Sequence, residues 1–354
     1  MEYPMQACVL HAIGDLRHEK VADPQPQSGE VLLRVGACGV CGSDIPRVFT
    51  KGTYRFPTIP GHELAGVVAA AGPGVDHSIV GRRAAVFPLI PCRSCPMCEK
   101  GEYAHCADYD YLGSRCDGGF AEYVRVPLWN LLLLPENVSV EEASLTEPAA
   151  VAVHALRQAG IDVGDRVLIL GAGPIGLMVG MWAKAWGAGG IMLVDIDAAK
   201  LNFARTLGFA DVCNSAEDDL AAWVSDLTGG GADLVVEASG SAVALEQCML
   251  TTRVFGNVVL MGNPVGNMCL SQQAYWAILR KQLKLHGTWN SSYSNIARSE
   301  WQLTLDYMAS GRLDVKPLIT HRIGLDALFD RLQSMRDRTE FSNKVLYVNP
   351  EGIS

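Results

Sequence analysis

Hydrophobic and polar residues alternate over residues 1–40, and this is the pattern of half-buried β-strands. The alternation is clear at 31–35 (VLLRV), and further apolar segments lie between loops rich in glycine and proline. These segments cover residues 64–70, 84–86 and 120–126. The first part of the chain, including residues 41–155, is therefore predicted to form an irregular β domain with few helices.

The pattern changes near residue 150, where continuous apolar runs alternate with helical stretches. Residues 166–170 (RVLIL) form such a run, as expected for a strand buried on both faces. A glycine-rich turn and an apolar helix follow it. Later strand-like runs cover residues 191–194, 234–238 and 258–262. Alternation of strands and helices predicts a doubly wound parallel sheet, so the fold class is α/β.

The end of the chain departs from this alternation. From about residue 295 there are two helical segments and then one more strand at 344–348 (KVLYV). A strand so late in the chain is predicted to return to the first domain. The predicted domains are therefore 1–152 together with 295–354, and 153–294.

Composition and charge exclude several classes of protein. Acidic residues outnumber basic ones 38 to 29 among 354 residues, and the net charge of −9 argues against a broadly basic nucleic-acid-binding surface. The N-terminal segment MEYPMQACVL lacks the basic and apolar parts of a signal peptide. The uncharged apolar run 167–183 is too short and too rich in glycine for a membrane-spanning helix. A cytoplasmic location is expected.

A glycine-rich turn after the first buried strand carries a dinucleotide-binding pattern. Gly171 permits the tight turn, Gly173 lets the backbone approach a pyrophosphate, and Gly176 lets the helix pack on the sheet. Pro174 suits the first turn of that helix, whose free N–H groups attract an anion. Asp195 ends the next strand 19 residues after Gly176, where a carboxylate accepts the ribose hydroxyls of NAD and repels the 2′-phosphate of NADP. The motif comprises Gly171, Ala172, Gly173, Pro174, Ile175 and Gly176.

Four cysteines with metal-ligand spacing lie close together in one loop. Cys92, Cys95, Cys98 and Cys106 fall within 15 residues. Four thiolates complete a tetrahedral shell around zinc with no open position, so the loop is predicted to hold a structural zinc ion. An iron–sulfur cluster also uses four cysteines, but nothing else in the chain indicates electron transfer.

A second group of possible metal ligands is spread over three segments. One thiol, one imidazole and one or two carboxylates suit a catalytic zinc ion that keeps a position open for water or substrate. Each of these residues alone is a weak signal, because a lone histidine is more often structural. The residues of this group are Cys41, Ser43, Asp44, His62, Glu63 and Glu147.

Taken together, the motifs resemble the zinc-containing medium-chain dehydrogenases over essentially the whole chain. Glu147 stands where alcohol dehydrogenases carry a cysteine, which resembles the polyol dehydrogenase branch, and the segments CGSDIPRVF, YDYLGSRCDGGFAEY and HGTWNSSYS resemble its members that act on hexitol phosphates. The motifs that carry the family resemblance are CGVCGSD, PGHELAGVV, the four-cysteine loop, DGGFAEYV, TEPAAVAVHAL, LGAGPIG and VDIDAAK.

This resemblance implies a fold, an activity and cofactors. The fold is a GroES-like, mostly β catalytic domain joined to a doubly wound Rossmann domain that binds NAD. The activity is the zinc-dependent oxidation of a secondary alcohol of a polyol or polyol phosphate to the ketose, with NAD⁺ as hydride acceptor. Two zinc ions per chain are expected, one structural and one catalytic.

The resemblance also implies roles for single residues around the catalytic zinc. Cys41, His62 and Glu63 are expected as ligands, and Glu147 is expected to bind the ion directly or through water. The four cysteines of the loop are expected to bind the structural zinc. The roles around the catalytic zinc are expectations from the family, whereas the spacing of the four cysteines by itself also predicts the structural zinc.

Further roles concern proton transfer and the cofactor. By resemblance, Ser43 takes the proton from the substrate hydroxyl, Asp44 orients the metal-binding histidine, and Lys200 contacts the adenosine ribose. Pro46 is a departure, because many alcohol and sorbitol dehydrogenases carry a histidine there. The final proton acceptor therefore stays open.

Three cations lie between the two segments that carry the expected catalytic zinc ligands. Because both ends of this stretch are tied to the zinc, its side chains are expected near the distal part of a bound substrate. Arg47 would hold a phosphate through two hydrogen bonds, although a solvated charged surface is an equal alternative. The cations are Arg47, Lys51 and Arg55, with Phe49, Tyr54 and Phe56 among them.

Other functions stay open from the sequence. Within the same class the alternatives are a sorbitol or xylitol dehydrogenase and an L-threonine dehydrogenase. A non-catalytic nucleotide-binding relative is disfavoured because the zinc ligands are present, and a zinc-ribbon nucleic-acid module is disfavoured by the acidic charge. The expected partners are a small-molecule substrate and a second copy of the chain, in a homodimer or homotetramer, with no nucleic acid or membrane.

Overall fold

The computed structural model describes residues 4–294 and 299–353. The chain divides into two compact units. Unit 1 comprises Met1–Glu147 and Ser292–Ser354, and unit 2 comprises Pro148–Ser291. The assignment of an activity to each unit stays a prediction.

The elements follow one another with short connections. The strands are β1 (Met5–Ala12), β2 (Asp15–Val21), β3 (Glu30–Gly39), β4 (Glu63–Ala71), β5 (Arg83–Val86), β6 (Leu89–Pro91), β7 (Tyr109–Tyr111), β8 (Tyr123–Pro127), β9 (Leu131–Leu133), β10 (Arg166–Leu170), β11 (Gly190–Asp195), β12 (Asp211–Asn214), β13 (Ala232–Glu237), β14 (Thr252–Leu260), β15 (Lys284–Gly287), β16 (Ile319–Ile323) and β17 (Lys344–Val348). The helices are α1 (Asp44–Pro46), α2 (Pro96–Glu99), α3 (Val140–Ser144), α4 (Thr146–Ala159), α5 (Pro174–Ala185), α6 (Ala198–Thr206), α7 (Leu220–Thr228), α8 (Ala242–Thr251), α9 (Gln272–Lys281), α10 (Glu300–Ala309) and α11 (Leu328–Asp337). Within the described ranges, no helix combines the length and apolar character that a membrane span requires.

Unit 1 is built around a seven-stranded sheet. Its order is β16-β17-β3-β4-β5-β9, and β8 also pairs with β3. Val31, Leu33 and Val35 alternate along β3 and are fully buried, as the sequence pattern predicts. The last strand, β17, pairs antiparallel with β3, so the end of the chain returns to this sheet.

Unit 1 also contains helices that the predicted β domain did not include. Helix α3 begins at a capping box, in which the Ser139 hydroxyl accepts the N–H of Glu142 and the Glu142 carboxylate accepts the N–H of Ser139. The pattern S-x-x-E is visible in the sequence and would have indicated this helix start. The expectation of few helices is therefore wrong for residues 140–150, where α3 and the start of α4 lie, whereas the segment 151–160 (VAVHALRQAG) has a helical pattern.

Unit 2 contains the six-stranded sheet β12-β11-β10-β13-β14-β15, and all its neighbouring strands are parallel. Its central strand β10 is apolar from Val167 to Leu170 because it is covered on both faces, and Val167, Leu168 and Ile169 are fully buried. Helices α5 to α8 lie in the connections between the strands. The doubly wound parallel sheet predicted from the alternating pattern is confirmed.

Candidate active site

The four-cysteine loop folds into a compact group of sulfur atoms. Pairing of β6 with β7 closes the base of the loop, and Pro96 begins the short helix that carries Cys98. The six sulfur pairs include Cys92–Cys106 at 3.4 Å, Cys95–Cys98 at 3.5 Å, and Cys92–Cys98 and Cys95–Cys106 at 3.9 Å each. A tetrahedral zinc ion with Zn–S bonds of about 2.3 Å requires sulfur atoms about 3.8 Å apart. The loop therefore fits a structural zinc ion.

The surroundings of this loop favour the thiolate form at two of its four cysteines. The hydroxyl and N–H of Ser94 donate to Cys92 and lower the pKa of its thiol to about 6. The N–H of Ala107 lowers the pKa of Cys95 in the same way, whereas burial raises the pKa of Cys98 to about 12. The thiolate is the form of cysteine that binds metal, so the lowered pKa values of Cys92 and Cys95 favour metal binding.

A second group of ligand atoms forms where β3 and β4 meet. Cys41 follows β3 and Glu63 begins β4, and antiparallel pairing places Gly39 opposite Glu63. One ligand atom from each of Cys41, His62 and Glu63 lies within 4.8 Å of the others. His62 and Glu63 are 4% and 1% exposed, so the group is shielded from solvent. A thiol, an imidazole and a carboxylate in this arrangement suit a zinc ion.

The electrostatic environment of Cys41, His62 and Glu63 also favours a bound cation. Burial, followed by the charges of Glu63 and Asp44, raises the pKa of Cys41 to about 11, while a hydrogen bond with Ser43 lowers it. The Nδ1 atom of His62 is buried and has no hydrogen-bond partner within residues 4–294 and 299–353. Such an unsatisfied arrangement of buried donors and acceptors fits a site that is completed by a metal ion.

Asp44 lies beside this group in a fully buried position. Its Oδ1 atom is 3.7 Å from Nδ1 of His62, which is an ion-pair distance and too long for a hydrogen bond. The carboxylate accepts hydrogen bonds from the N–H of Cys41 at 2.9 Å and from Nη1 of Arg47 at 2.5 Å. Asp44 therefore lies beside the imidazole, but its close hydrogen bonds go to other groups. Pro46 ends the short helix α1, and its carbonyl accepts a hydrogen bond from Thr50.

Lys344 is a member of this site that the sequence did not indicate. It comes from β17, and its Nζ atom donates to both carboxylate oxygens of Glu63 at 2.6 and 2.9 Å and to the carbonyl of Val40 at 3.2 Å. Burial alone lowers the pKa of Lys344, but the charges of Glu63 and Cys41 outweigh it, so the net shift is upward. A lysine in a strand pattern carries no local signal of such a role.

Glu147 is buried in the first turn of α4, near this group. Burial raises its pKa to about 8, although the neighbouring His62 acts in the opposite direction. The hydroxyl of Tyr111 donates to Glu147 Oε1 at 3.4 Å, and its ring lies 5.7 Å from that of His62. Glu147 does not belong to the set of Cys41, His62 and Glu63 atoms within 4.8 Å, so a contact through water suits it better than direct ligation.

The three cations predicted for the substrate end lie in different environments. Arg47 is bonded to Asp44 and is mostly buried, with a side chain 15% exposed. Lys51 is exposed, and Arg55 lies 3.7 Å from the exposed Asp117. Their predicted contact with substrate stays a prediction.

The glycine-rich turn of unit 2 has the shape of a dinucleotide cradle. Gly171 has a φ of +117°, and a Cβ atom there would lie 2.9 Å from the backbone of Ala238. A Cβ atom on Gly176 would lie 1.9 Å from the Gly171 carbonyl oxygen, whereas Gly173 caps α5 and has open space beside it. The turn therefore requires glycine and leaves room for a pyrophosphate at the helix N-terminus.

Asp195 lies at the end of β11 next to this turn. Its carboxylate accepts the N–H of Ala172 at 2.9 Å and that of Asp197 at 3.0 Å, and Nζ of Lys200 is 3.4 Å away. These contacts hold the carboxylate at the strand end. The two residues predicted to contact the ribose, Asp195 and Lys200, thus lie side by side.

A unit with a glycine-rich dinucleotide-type turn and a unit with two groups of possible zinc ligands are together typical of a zinc-binding dehydrogenase. The alcohol dehydrogenase GroES-like domain model matches residues 27–136, and the zinc-binding dehydrogenase model matches residues 174–310. Galactitol 1-phosphate 5-dehydrogenase of Escherichia coli (strain K12) is 34% identical over 93% of this chain and 95% of that protein. Sorbitol dehydrogenase of Bacillus subtilis (strain 168) is 32% identical over 97% of this chain and 96% of that protein.

The solved structures lead to the same family. The crystal structure of galactitol-1-phosphate dehydrogenase from Escherichia coli has a TM-score of 0.90 and 32% identity, and the match covers 98% of this chain and all of that one. This chain belongs to the zinc-containing medium-chain dehydrogenases, in the polyol dehydrogenase branch. It is an oxidoreductase, and zinc and NAD are the cofactors typical of its family. The predicted fold of a GroES-like domain and a Rossmann domain is confirmed.

Proposed function

We propose that this enzyme oxidises a secondary alcohol of a polyol or polyol phosphate to the ketose and transfers the hydride to NAD⁺. The observation that carries this proposal is the buried group of Cys41, His62 and Glu63, with Glu147 nearby. Similarity to dehydrogenases of galactitol 1-phosphate and sorbitol supports a polyol as substrate.

The residues around this group have separate tasks. Cys41, His62 and Glu63 would hold the zinc ion, and Tyr111 would orient Glu147. When bound, zinc lowers the pKa of an alcohol and NAD⁺ accepts a hydride. The Ser43 hydroxyl would then accept the alcohol proton. Because Pro46 follows in place of the histidine of many relatives, that proton would pass on to water.

NAD⁺ is the proposed cofactor because a carboxylate occupies the ribose end of the cradle. The Asp195 side chain is 9% exposed, and a 2′-phosphate beside it would be repelled. Steady-state kinetics with NAD⁺ and NADP⁺ test this proposal. Asp195→Ala should reduce the preference for NAD⁺ over NADP⁺ because it weakens the binding of NAD⁺. Equal kcat/KM values for NAD⁺ and NADP⁺ in the unmodified enzyme would contradict the role of Asp195.

The experiment that tests the reaction is a substrate screen. Hexitol 1-phosphates, free hexitols, xylitol and L-threonine are offered with NAD⁺, and reduction is followed by nicotinamide absorbance. We expect the highest kcat/KM with a hexitol 1-phosphate. Preference for sorbitol or xylitol would establish the sorbitol-type alternative. Absence of reduction with every compound would favour a non-catalytic nucleotide-binding protein.

We also propose that two copies associate through the edge of the unit 2 sheet. Strand β15 is at the end of the strand order, and Leu285, Trp289, Trp276 and Leu279 around it are 42%, 62%, 45% and 57% exposed. Apolar groups beside an edge strand suit pairing with a second copy. Light scattering after size-exclusion chromatography should give a dimer or a tetramer, and Leu285→Glu should shift the oligomeric state toward monomer.

A cytoplasmic location stays a prediction.

A further inference from the structure

One partly buried arginine near the proposed substrate site differs from Arg47 and Arg55 in having no carboxylate partner among the described residues. Arg47 is bonded to Asp44, and Arg55 lies 3.7 Å from Asp117. Arg115 forms no ion pair with a carboxylate of the residues that the structure describes. Its side chain interacts with Tyr54 and Tyr109, and its Nε atom is buried without a partner. A charged donor that is left unsatisfied inside a folded protein is unusual and calls for a ligand.

Two tyrosines hold the Arg115 guanidinium in place. Its Cζ atom is 4.3 Å from the ring centre of Tyr54 and 4.2 Å from that of Tyr109. A guanidinium has five N–H donors, and the contacts with the two tyrosines leave the N–H of Nε without a partner. This geometry suits the binding of a planar or tetrahedral oxyanion through two hydrogen bonds.

The backbone ties Arg115 to the residues around the proposed catalytic metal. Its N–H donates to the carbonyl of Tyr111 at 2.9 Å. Tyr111 in turn places its ring 5.7 Å from His62 and its hydroxyl on Glu147. Arg115 is therefore on the same tight turn as a residue that contacts the metal-binding group.

The segment with the three predicted cations reaches the same turn. The N–H of Tyr54 donates to the carbonyl of Ser114 at 3.2 Å. The sequence predicted that this segment lies near the distal end of the substrate, and Tyr54 brings it to Arg115. The aromatic residue between the cations thus serves to hold a cation from another segment.

We propose that Arg115 binds the anionic end of the substrate, a phosphate monoester on the carbon chain whose alcohol is oxidised. This inference rests on the proposed function and assigns its preference for a phosphorylated substrate to one residue. In a protein of net charge −9, a guanidinium that no carboxylate neutralises attracts anions locally. Arg115 is thus a specificity-determining residue, and its partners Tyr54 and Tyr109 are positioning residues.

Kinetics on paired substrates test the proposal. Arg115→Gln keeps the length and polarity of the side chain and removes its charge. This variant should lower kcat/KM for a hexitol 1-phosphate roughly 10- to 150-fold, because one charge-assisted contact is lost. The decrease should come from a higher KM. The kcat/KM for the free hexitol should change less than about twofold. Arg115→Lys, which keeps the charge and loses the planar fork, should recover part of the loss. Equal losses on both substrates would overturn the proposal and make Arg115 structural.

A binding measurement separates this inference from the proposed function. Inorganic phosphate is titrated calorimetrically into the zinc-loaded protein, and its affinity should fall in Arg115→Gln by the same roughly 10- to 150-fold. The matched control is Arg312→Gln, since Arg312 also lies over a tyrosine, 5.6 Å from the ring centre of Tyr307. Unchanged phosphate affinity in Arg115→Gln overturns the inference even if hexitol phosphates are oxidised. Absence of polyol oxidation with Arg115-dependent phosphate binding refutes the proposed function and leaves the anion site standing.

Discussion

At the scale of single residues, the ion pair of Lys344 and Glu63 is the least expected feature of the site. Removing one partner of a buried pair leaves the other charge unpaired, which costs about 3–5 kcal/mol. We expect Lys344→Met to lower the free energy of unfolding by about that amount in chelator-treated protein. The loss should be smaller in zinc-loaded protein, because the metal ion supplies a positive charge beside Glu63. Urea unfolding with and without chelator measures both values.

Two further variants test the reason for this loss. Glu63→Gln/Lys344→Met removes both charges and should recover most of the stability of the chelator-treated protein. Lys316→Met is the control, because the Lys316 side chain is 61% exposed and its ion pair with Glu142 should contribute about 0–1 kcal/mol. If the double variant is as unstable as Lys344→Met, lost packing and not an unpaired charge is the cause.

Glu147 leads to a prediction about pH. Its folded pKa is raised to about 8, and its usual value is 4.5, so the folded protein binds the proton more tightly than the unfolded chain. The unfolded carboxyl loses its proton first as the pH rises, and metal-free protein should therefore lose stability between about pH 4.5 and 8. Glu147→Gln cannot ionise and should flatten this part of the stability profile. Thermal unfolding of both chelator-treated proteins between about pH 4.5 and 8 measures this effect. If stability depends on pH equally in the unmodified protein and in Glu147→Gln, burial of Glu147 is not the cause.

At the scale of elements, the loop between β6 and β7 has almost no apolar core of its own. Its four sulfur atoms are arranged for one zinc ion, so metal binding should supply much of its folding free energy. We expect Cys98→Ser to reduce the zinc content from two ions per chain to one and to lower Tm. Cys248→Ser, at a fully buried thiol of unit 2, is the matched control and should retain both ions. Two ions and an unchanged Tm in Cys98→Ser would contradict the structural site.

At the scale of the whole molecule, each unit has its own candidate ligand. Hydrogen exchange followed by mass spectrometry reports on both units in one experiment. Chelation of zinc should increase exchange most in unit 1, around the four-cysteine loop and the start of β4. Addition of NAD⁺ should decrease exchange most in unit 2, at the turn from Gly171 to Gly176. The reverse pattern would show that the ligands have been assigned to the wrong units.

Local patterns in the chain were sufficient for much of the fold and for part of the site. The apolar run of β10 and the alternation in β3 predict their strands because side-chain burial follows strand geometry directly. The four cysteines and the glycine motif are recognisable because all their residues lie in one loop or turn. The helix start at Ser139 was also visible in the sequence, as a capping box, although it was not predicted.

What the sequence by itself determined is therefore the set of elements, the α/β class and the residue types that suit zinc and a dinucleotide. Only the tertiary structure decided which charges are paired. Lys344 lies 281 residues from Glu63 and meets it because β17 returns to β3, whereas Arg47 is neutralised by Asp44 and Arg115 is left between two tyrosines. The physical reason is that the energy of a charge depends on its burial and its neighbours in space, and strand pairing brings in neighbours that no local pattern records.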